Sequence, residues 1–275
     1  MSEAQSRERL EAHYRIEKEL AARLRSASAA ERCALYTEVY DEFFRRVPDH
    51  PQLTRKASPE ETRAYVADQF RMIGDVLRDD TEYLEVGPGD CAFAFSVAAR
   101  VAQVNVVDVS REITERDDVP DNCRVIISDG SSIPVPPGSI DVAYSNQLME
   151  HLHPDDARAQ LANLYAALKP GGCYMCITPN RLNGPHDVSR FFDDVATGFH
   201  LKEYTVAELS DLFSAVGFTH LRCRVGAKGH YSDIGPWLPR FVERVLGALP
   251  ANARRAVADL APVRALLNIR IIGYK

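Results

Sequence analysis

From residue 82 onward, short apolar runs of the chain alternate with stretches of helical character. Helices are predicted near residues 90–100, 111–117 and 155–168. The apolar runs, which are predicted strands, are YLEV (83–86), VNVV (104–107), RVIIS (124–128), IDVAYS (140–145) and CYMCIT (173–178). Strands that alternate with helices in this way form a parallel sheet with helices on both faces. The sequence therefore predicts a doubly wound α/β domain.

Two further strands are predicted near the carboxyl end of the sequence, at residues 219–225 and 267–273. The segment between them, 227–266, is much longer than an ordinary hairpin link. It contains apolar residues such as Trp237 and Phe241. We therefore predict a helical insertion before the last strand, beside the edge of the sheet where ligands bind in open α/β folds.

The first part of the chain is predicted to form a helical appendage, residues 1–80, ahead of an α/β domain over residues 81–275. The predicted helix starts carry two capping boxes, Ser28 with Glu31 and Ser58 with Glu61. Residues 1–26 carry Leu10, Tyr14, Leu20 and Leu24 among many charges, which suggests an amphipathic helix that packs on another surface. A packing appendage, a substrate lid and a homodimer contact all remain open for these helices.

The charge balance argues against a polyanion as the main partner. The chain has 33 Lys and Arg against 39 Asp and Glu, a formal net charge of −6, whereas nucleic-acid binders usually carry a basic surplus. No apolar stretch approaches the ~18 residues of a membrane span, and the N-terminal residues lack the apolar region of a signal peptide. The six cysteines are scattered, which fits reduced thiols. We therefore expect a cytoplasmic protein with no nucleic-acid partner and no membrane partner.

The first predicted strand runs into a glycine-containing turn, Glu85-Val-Gly87-Pro-Gly89-Asp90. Glycines at such a turn let the backbone approach a ligand closely, and the following helix offers free N–H donors at its start. Asp108 closes the second predicted strand, where it is placed to accept hydrogen bonds from both hydroxyls of a ribose. Nicotinamide-dependent dehydrogenases and methyltransferases share this arrangement, so both remain open at this point.

Three later motifs distinguish a methyltransferase from a nicotinamide-dependent dehydrogenase. Asp129-Gly130 closes the third predicted strand, where it is placed to contact an adenine amino group. Asn146 ends the fourth predicted strand, and the LKPGG segment makes a tight turn into the fifth. With these motifs, residues 80–225 resemble the class I S-adenosylmethionine-dependent methyltransferases. The motifs EVGPGD, VVDVS, ISDG, IDVAYSNQLMEHL and LKPGG follow one another in the order of that family.

The resemblance implies a fold, a cofactor and roles for individual residues. It implies a mainly parallel seven-stranded sheet with an antiparallel last strand, and S-adenosylmethionine as the methyl donor. The residues that it assigns to the cofactor are Glu85, Gly87, Gly89, Asp108, Asp129, Gly130 and Asn146. Within this set, Asp108 would hold the ribose, Asp129 the adenine and Asn146 the methionine side. One departure is Cys91, which stands where families with a third glycine have that glycine.

Histidines on the predicted acceptor side are candidates for catalysis. Methyl transfer from a sulfonium depends mainly on alignment of the reacting atoms, and a hydroxyl acceptor also benefits from a general base. His151 follows the fourth strand, and His186 lies in a long polar segment, 180–204, that is typical of a lid. We therefore name His151 and His186 as catalytic candidates, with capping or lid packing as the alternative for each.

A metal ion is not expected from the sequence. Gln147-Leu-Met-Glu150-His151 resembles the ExxEH element of metal-assisted O-methyltransferases, but the neutral Gln147 replaces the first carboxylate. The Glu-His pair is also common at this point in relatives that bind no metal. We therefore predict no metal ligands.

The sequence as a whole predicts methyl transfer from S-adenosylmethionine to oxygen or nitrogen of a small molecule, such as a sugar or another secondary metabolite. Two other functions stay open: a catalytically silent S-adenosylmethionine-binding partner protein and a nicotinamide-dependent oxidoreductase. Methylation of nucleic acid is disfavoured, because the chain is acidic and has no cluster of aromatic and basic residues.

Overall fold

The structure, a computed structural model, describes residues 3–50, 57–110, 118–227 and 229–275. Its strands are β1 (Glu82–Val86), β2 (Gln103–Asp108), β3 (Cys123–Ile127), β4 (Ile140–Asn146), β5 (Leu168–Thr178), β6 (His220–Ala227), β7 (His230–Ile234) and β8 (Ile269–Tyr274). Its helices are α1 (Glu3–Ser26), α2 (Ala29–Arg46), α3 (Pro59–Ile73), α4 (Ala92–Ala98), α5 (Pro154–Ala167), α6 (Val206–Val216), α7 (Trp237–Gly247), α8 (Ala251–Ala258) and α9 (Ala261–Leu267). The helix predicted near residues 111–117 lies outside the described residues.

The eight strands form one sheet in the order β3-β2-β1-β4-β5-β8-β6-β7. The first five strands pair in parallel, whereas β8 is antiparallel to both β5 and β6. Helices cover both faces of the sheet. The predicted doubly wound, mainly parallel fold is therefore confirmed, including its antiparallel last strand.

The sheet has one strand more than the seven predicted. β7 pairs antiparallel with β6 within the segment 227–266, which was predicted to be helical. Its sequence, HYSDI, is short and mostly exposed, so it lacks the apolar periodicity that marks a strand. Gly229 precedes it with φ +80, a conformation that glycine adopts readily. After β7, the segment is helical as predicted, with α7, α8 and α9.

The LKPGG segment, predicted as a tight turn before the fifth strand, is the first part of β5. Leu168 pairs with Ile140, and the register then shifts so that Cys173 pairs with Val142. Gly171 has φ +82 at this shift, which a residue with a side chain rarely adopts. The motif therefore makes a bend within the strand instead of preceding it.

Two hydrophobic clusters, one on each face of the sheet, form the main core. Tyr174 and Cys176 of β5 face the cluster that also contains α1, α2, α5 and α6. Cys173 and Met175 face the cluster that contains α3 and α4. This alternation is the period-two pattern of a strand that is buried on both faces. It also places the thiols of Cys173 and Cys176 on opposite sides of the sheet.

The N-terminal helices begin where the capping boxes predict. At both starts the serine side chain accepts a hydrogen bond from the backbone N–H of the glutamate, and the glutamate accepts one from the serine N–H. Leu20 and Leu24 of α1 and Val39 of α2 are fully buried, and they lie in the same cluster as side chains of β1, β4 and β5. Both helices therefore share the core of the α/β sheet. Within the described ranges, no helix combines the length and the apolar content needed to cross a membrane.

A buried ion pair ties α2 to α5. Arg32 is 2% exposed, and its guanidinium donates to both carboxylate oxygens of Asp156, at 2.5 and 2.8 Å. The hydroxyl of Tyr36 donates to the same carboxylate at 2.8 Å and accepts from the backbone N–H of His153 at 2.9 Å. The guanidinium, the carboxylate and the tyrosine hydroxyl therefore all have hydrogen-bond partners, as buried polar and charged groups require.

Replacement of Arg32 by methionine should destabilise the protein strongly. Arg32→Met keeps the apolar stem but leaves the Asp156 charge buried without its partner, which costs about 3–5 kcal/mol. The matched control is Arg23→Met, whose pair with Glu42 is exposed to solvent and should contribute less than about 1 kcal/mol. Urea unfolding of both variants measures the difference. Equal midpoints for the two variants would contradict this account of the α2–α5 contact.

Candidate functional site

The carboxyl ends of β1, β2 and β4 lie side by side at one edge of the sheet. Parallel pairing aligns Val86 with Val107 and Glu85 with Tyr144, so the loops that follow the three strands open from the same edge. The strand order reverses between β1 and β4. In open α/β sheets, ligands bind at the carboxyl edge where this reversal occurs.

The loop after β1 has a backbone that requires glycine. Gly87 and Gly89 have φ +65 and +58, values that disfavour a side chain. A Cβ atom at Gly87 would lie 2.9 Å from a methyl carbon of Leu148, whereas a Cβ at Gly89 would have no described atom within 4 Å. Gly87 therefore permits close packing beneath the loop, and Gly89 borders open space where a ligand can approach the backbone.

Cys91 shares the left-handed backbone of the two glycines, with φ +60. Its side chain is fully buried and packs in the cluster with Tyr83 and Phe93. A non-glycine residue in this conformation costs roughly 1–2 kcal/mol, which burial of the thiol offsets. The loop therefore keeps its glycine-like shape although position 91 has a side chain.

Glu85 is buried near the end of β1 and is 3% exposed. Burial raises the pKa of its carboxyl to about 8, because a charged carboxylate is poorly solvated there. The hydroxyl of Tyr83 donates to Glu85 Oε2 at 3.0 Å. The carboxyl is therefore held in place beneath the glycine loop at a cost in stability, which is typical of a functional position.

The two aspartates predicted to hold a nucleoside lie at the ends of β2 and β3. Burial raises the pKa of Asp108, and its Oδ1 accepts from the backbone N–H of Ser110 at 2.8 Å. Burial acts to raise the pKa of Asp129 as well, but hydrogen bonds from Ser132 and Ser131 lower it below the usual range. Asp129 therefore also orders its own loop.

The turn at Gly130 is contacted by two helices, α5 and α2. The side chain of Gln160 on α5 donates to the Gly130 carbonyl at 2.7 Å. The ring of Tyr36 on α2 would lie 3.2 Å from a Cβ at Gly130, whose φ is +91. A larger residue at this position would therefore displace α2.

Asn146 at the end of β4 faces a residue that the sequence analysis did not identify. Its side-chain amide donates to the hydroxyl of Tyr65, on α3, at 3.3 Å. Tyr65 is 41% exposed, and the nearby Glu85 and Asp90 contribute, after burial, to its raised pKa. An N-terminal helix thus places an aromatic side chain beside the glycine loop and Asn146.

A cavity of about 280 Å³ opens beyond the ends of β4, β5 and β8. Its lining is formed by Gln147, Ile177, Thr178, Pro179, Asn180, Asn183, His186, Asn268, Ile269 and Arg270. Gln147 follows Asn146 directly and has φ +56, a strained value for a residue with a side chain. The cavity therefore begins next to the residue predicted to contact the methionine side of the cofactor. Arg270, the one charged cation in this described lining, was missed because it lies inside an apolar strand.

The structure separates the two histidines predicted to be catalytic. His186 lines the cavity, and its Nε2 lies 3.1 Å from both the Asn180 carbonyl and Asn183 Oδ1. His151 is not among the lining residues; its Nδ1 lies 3.2 Å from the Tyr40 hydroxyl and 3.2 Å from the Phe199 carbonyl. Burial lowers the pKa of His151 to about 3, which keeps its ring neutral.

A second polar group lies behind the cavity wall. Thr178, which lines the cavity, donates to Glu150 Oε2 at 2.8 Å. His200 Nδ1 lies 2.7 Å from Glu203 Oε1, and the backbone N–H of His186 donates to the same oxygen at 2.6 Å. The segment 180–204 thus connects His186 and His200 through one carboxylate. No local sequence pattern indicates that Glu203 joins these two histidines.

Helix α1 holds the segment 180–204 in position. The guanidinium of Arg25 donates to the carbonyls of Thr197, Gly198 and His200, at 2.9, 2.9 and 3.1 Å. The ring of Tyr14 stacks on Phe192 with centroids 4.3 Å apart. Helix α1 therefore holds the part of this segment that follows the cavity-lining residues Asn180, Asn183 and His186.

The sequence of this chain matches known proteins over its central part. A family model described as a methyltransferase domain matches residues 84–172. A curated protein of Mycolicibacterium smegmatis, described as a probable S-adenosylmethionine-dependent methyltransferase, is 34% identical over 97 residues. This alignment covers 34% of this chain and 35% of the relative. The chain thus matches about a third of the length of that relative.

Solved structures share the fold at low sequence identity. The Burkholderia thailandensis 1,6-didemethyltoxoflavin-N1-methyltransferase, with 1,6-didemethyltoxoflavin and S-adenosylhomocysteine bound, has a TM-score of 0.53 at 17% identity, over 90% of this chain and 91% of that chain. An S-adenosylmethionine-dependent methyltransferase of Archaeoglobus fulgidus has a TM-score of 0.51 at 17% identity, over 87% and 100% of the two chains. Both likenesses establish the fold around the candidate site.

The burial of Glu85 predicts a pH-dependent effect of its neutral analogue. The carboxyl binds its proton more tightly in the folded state, so it contributes stability below about pH 4.5 that is lost as the pH rises through about 8. The free energy of unfolding of Glu85→Gln should therefore match that of the wild type near pH 4.5. Near pH 9 it should be higher, by on the order of a few kcal/mol.

Thermal unfolding at a series of pH values, without ligand, measures this difference. The control is Glu38→Gln on the exposed face of α2, which should shift the Tm little because that side chain stays in water. A constant difference between Glu85→Gln and wild type across the pH range would refute the assigned burial effect.

Proposed function

We propose that this chain, which belongs to the class I S-adenosylmethionine-dependent methyltransferases, transfers a methyl group to oxygen or nitrogen of a small-molecule acceptor. The observation that carries the proposal is the carboxyl edge of the sheet. There the glycine loop of Gly87 and Gly89, the carboxylate of Asp108 and the amide of Asn146 follow three strands that pair side by side.

The residues at this edge fit the cofactor of the family. S-adenosylmethionine supplies an activated methyl group on a sulfonium. The open space beside Gly89 lets the backbone approach a ligand, as the glycine loop of a nucleotide site requires. By the family resemblance, Glu85 and Gly87 shape this loop, Asp108 holds the ribose, Asp129 and Gly130 the adenine, and Asn146 the methionine side.

The cavity beside Asn146 supports a small acceptor. Its volume of about 280 Å³ is near the lower limit of ordinary ligand pockets. Its lining combines the apolar Ile177 and Ile269 with amides, His186 and Arg270, a mixture that fits an uncharged or anionic molecule with hydrogen-bonding groups. A sugar or another secondary metabolite has this character. The small-molecule substrate named for the Burkholderia thailandensis enzyme agrees with the proposal at the level of the fold.

We assign the role of general base to His186. Its Nε2 contacts two oxygens that only accept hydrogen bonds, so this nitrogen carries the proton and Nδ1 keeps the basic lone pair. His151 remains a proposed site residue, but a ring with a pKa of about 3 is too weak a base to take a proton from a hydroxyl. We therefore infer that His151 positions its neighbours.

We also propose a homodimer and a cytoplasmic location. A homodimer through the N-terminal helices is compatible with the exposed faces of α1 and α2, and light scattering of the purified protein tests it. The six cysteines are free, which fits a reducing cytoplasm. If acceptor screens released no S-adenosylhomocysteine, a catalytically silent S-adenosylmethionine-binding protein would replace the proposal. If nicotinamide dinucleotide bound instead of S-adenosylmethionine, a nicotinamide-dependent oxidoreductase would replace it.

Loss of the Asp108 carboxylate should weaken cofactor binding. Asp108→Ala removes hydrogen bonds to a charged acceptor worth about 1.5–3 kcal/mol, which corresponds to an affinity for S-adenosylmethionine lower by roughly tenfold to a hundredfold. Isothermal titration calorimetry measures the affinity of each variant for S-adenosylmethionine. The control is Asp121→Ala, because Asp121 lies at an exposed position ahead of β3. Unchanged affinity in Asp108→Ala would remove this residue from the site.

Loss of the His186 ring should lower turnover without weakening cofactor binding. A general base contributes about a hundredfold or more, so His186→Ala should lower kcat by that order on an acceptor found by screening for S-adenosylhomocysteine release. Its affinity for S-adenosylmethionine should match wild type. The control is His220→Ala, because His220 pairs with Tyr274 at the opposite end of β8 from the cavity. An unchanged kcat in His186→Ala would rule out its role as base.

A further inference from the structure

Three side chains with metal-ligating atoms meet behind the cavity wall. One ligand atom from each of Glu150, His151 and His200 lies within 4.8 Å of the others. Glu150 and His151 belong to a short 3-10 helix after β4, Met149–His151, whereas His200 comes from the end of the segment 180–204. The fold therefore brings together residues that are far apart in the chain.

Glu150 is fully buried but only half of its carboxylate is paired. Oε2 accepts from Thr178, while Oε1 has no hydrogen-bond partner among the residues that the structure describes. An unpaired buried polar atom is unfavourable, and a cation beside Oε1 would relieve that penalty.

The hydrogen bonds of the two histidines leave the same nitrogen available on each ring. His151 Nδ1 lies 3.2 Å from the Phe199 carbonyl, and His200 Nδ1 lies 2.7 Å from the Glu203 carboxylate. Both partners accept hydrogen bonds, so Nδ1 carries the proton in each ring and Nε2 keeps a lone pair. Histidines that bind metals commonly donate their other N–H to a carboxylate or carbonyl in this way.

We infer that Glu150, His151 and His200 form a binding site for a divalent transition-metal ion, with Zn²⁺ as the best-matched probe. Two imidazoles and one carboxylate are a ligand set for zinc or a similar ion, whereas Mg²⁺ prefers oxygen ligands alone. Metal–ligand bonds of about 2.0–2.2 Å place tetrahedral ligand atoms roughly 3.3–3.6 Å apart. Ligand atoms that lie as far as 4.8 Å apart must therefore move closer together when an ion binds. The sequence predicted no metal because Gln147 is a poor ligand; His200 supplies the third ligand instead.

The position of the ion suggests how it would serve the reaction. Thr178 both contacts Glu150 and lines the cavity, so the site and the cavity share a wall. Three protein ligands leave a coordination position for an oxygen or nitrogen ligand. Contact of the ion with the acceptor rests on the proposed function, whereas binding of the ion does not.

Calorimetric titration of Zn²⁺ into the metal-free protein tests the site. The background is tag-free full chain with Cys33→Ser, since Cys33 is an exposed free thiol. One ion per chain should bind. Glu150→Gln and His200→Ala should each weaken binding by more than about a hundredfold, and Glu203→Gln by about tenfold to a hundredfold, as for residues that orient a ligand.

The matched control is His153→Ala, a histidine of the same loop whose Nδ1 accepts from the backbone of Asp155 and which should leave zinc affinity unchanged. Each variant is also titrated with S-adenosylmethionine, because retained binding shows that it is folded. A ligand variant that loses zinc binding but keeps S-adenosylmethionine binding supports the site. Absence of S-adenosylmethionine binding in the wild type would instead overturn the proposed function and leave the zinc result standing.

X-ray absorption of the zinc-loaded protein gives a second measurement that needs no variant. The proposal expects nitrogen and oxygen ligands at about 2.0–2.2 Å, including two imidazoles, and no sulfur at about 2.3 Å. A sulfur shell would assign the ion to cysteines and overturn the site. So would a wild-type protein that binds no zinc, or equal zinc affinity in the wild type and the Glu150→Gln and His200→Ala variants.

Discussion

Parallel hydrogen bonding of β1 to β2 and β4 is the constraint on which the candidate site depends. Because these strands run in the same direction and in register, the glycine loop, Asp108 and Asn146 emerge at one edge although they are far apart in the chain. The backbone ladder positions all three, so each needs only to occupy the end of its strand. The same ladder buries Glu85 beneath the loop, where burial raises the pKa of its carboxyl; stability is given up at this position.

The segment 180–204, which contributes to the cavity lining, is held by polar contacts with distant parts of the chain. Glu17 on α1 accepts from the backbone N–H of Phe199 at 2.8 Å. At the other side, Glu243 on α7 accepts from the side chain of Asn180 at 2.7 Å and from the backbone N–H of Val206 at 2.5 Å. Both ends of the segment 180–204 are therefore fixed by buried carboxylates from other helices. Each carboxylate pairs with N–H groups that would otherwise be buried without partners, which stabilises this conformation of the segment.

Local sequence signals predicted the elements that depend on local physics. The capping boxes at Ser28 and Ser58 form because a serine hydroxyl and a glutamate three residues later satisfy free N–H groups. The glycines of the loop lie directly after β1, as their sequence positions predicted, and they adopt positive φ angles. β7 could not be predicted in this way, because five mostly exposed residues gain their strand conformation from pairing with β6. Strand propensity of this kind depends on the neighbouring strand more than on the residue itself.

The sequence by itself determined the fold class and placed the glycine loop, Asp108 and Asn146 at the carboxyl edge of the sheet, since apolar periodicity and strand-end residues are properties of consecutive positions. Only the tertiary structure decided which side chains meet across that edge. Tyr65 contacts Asn146 because α3 crosses the end of β4, and Arg270 reaches the cavity because β8 is inserted beside β5. His200 joins Glu150 and His151 because Arg25 fastens its backbone to α1. Contacts between residues so distant in the chain follow from packing of the whole molecule, which no local pattern encodes.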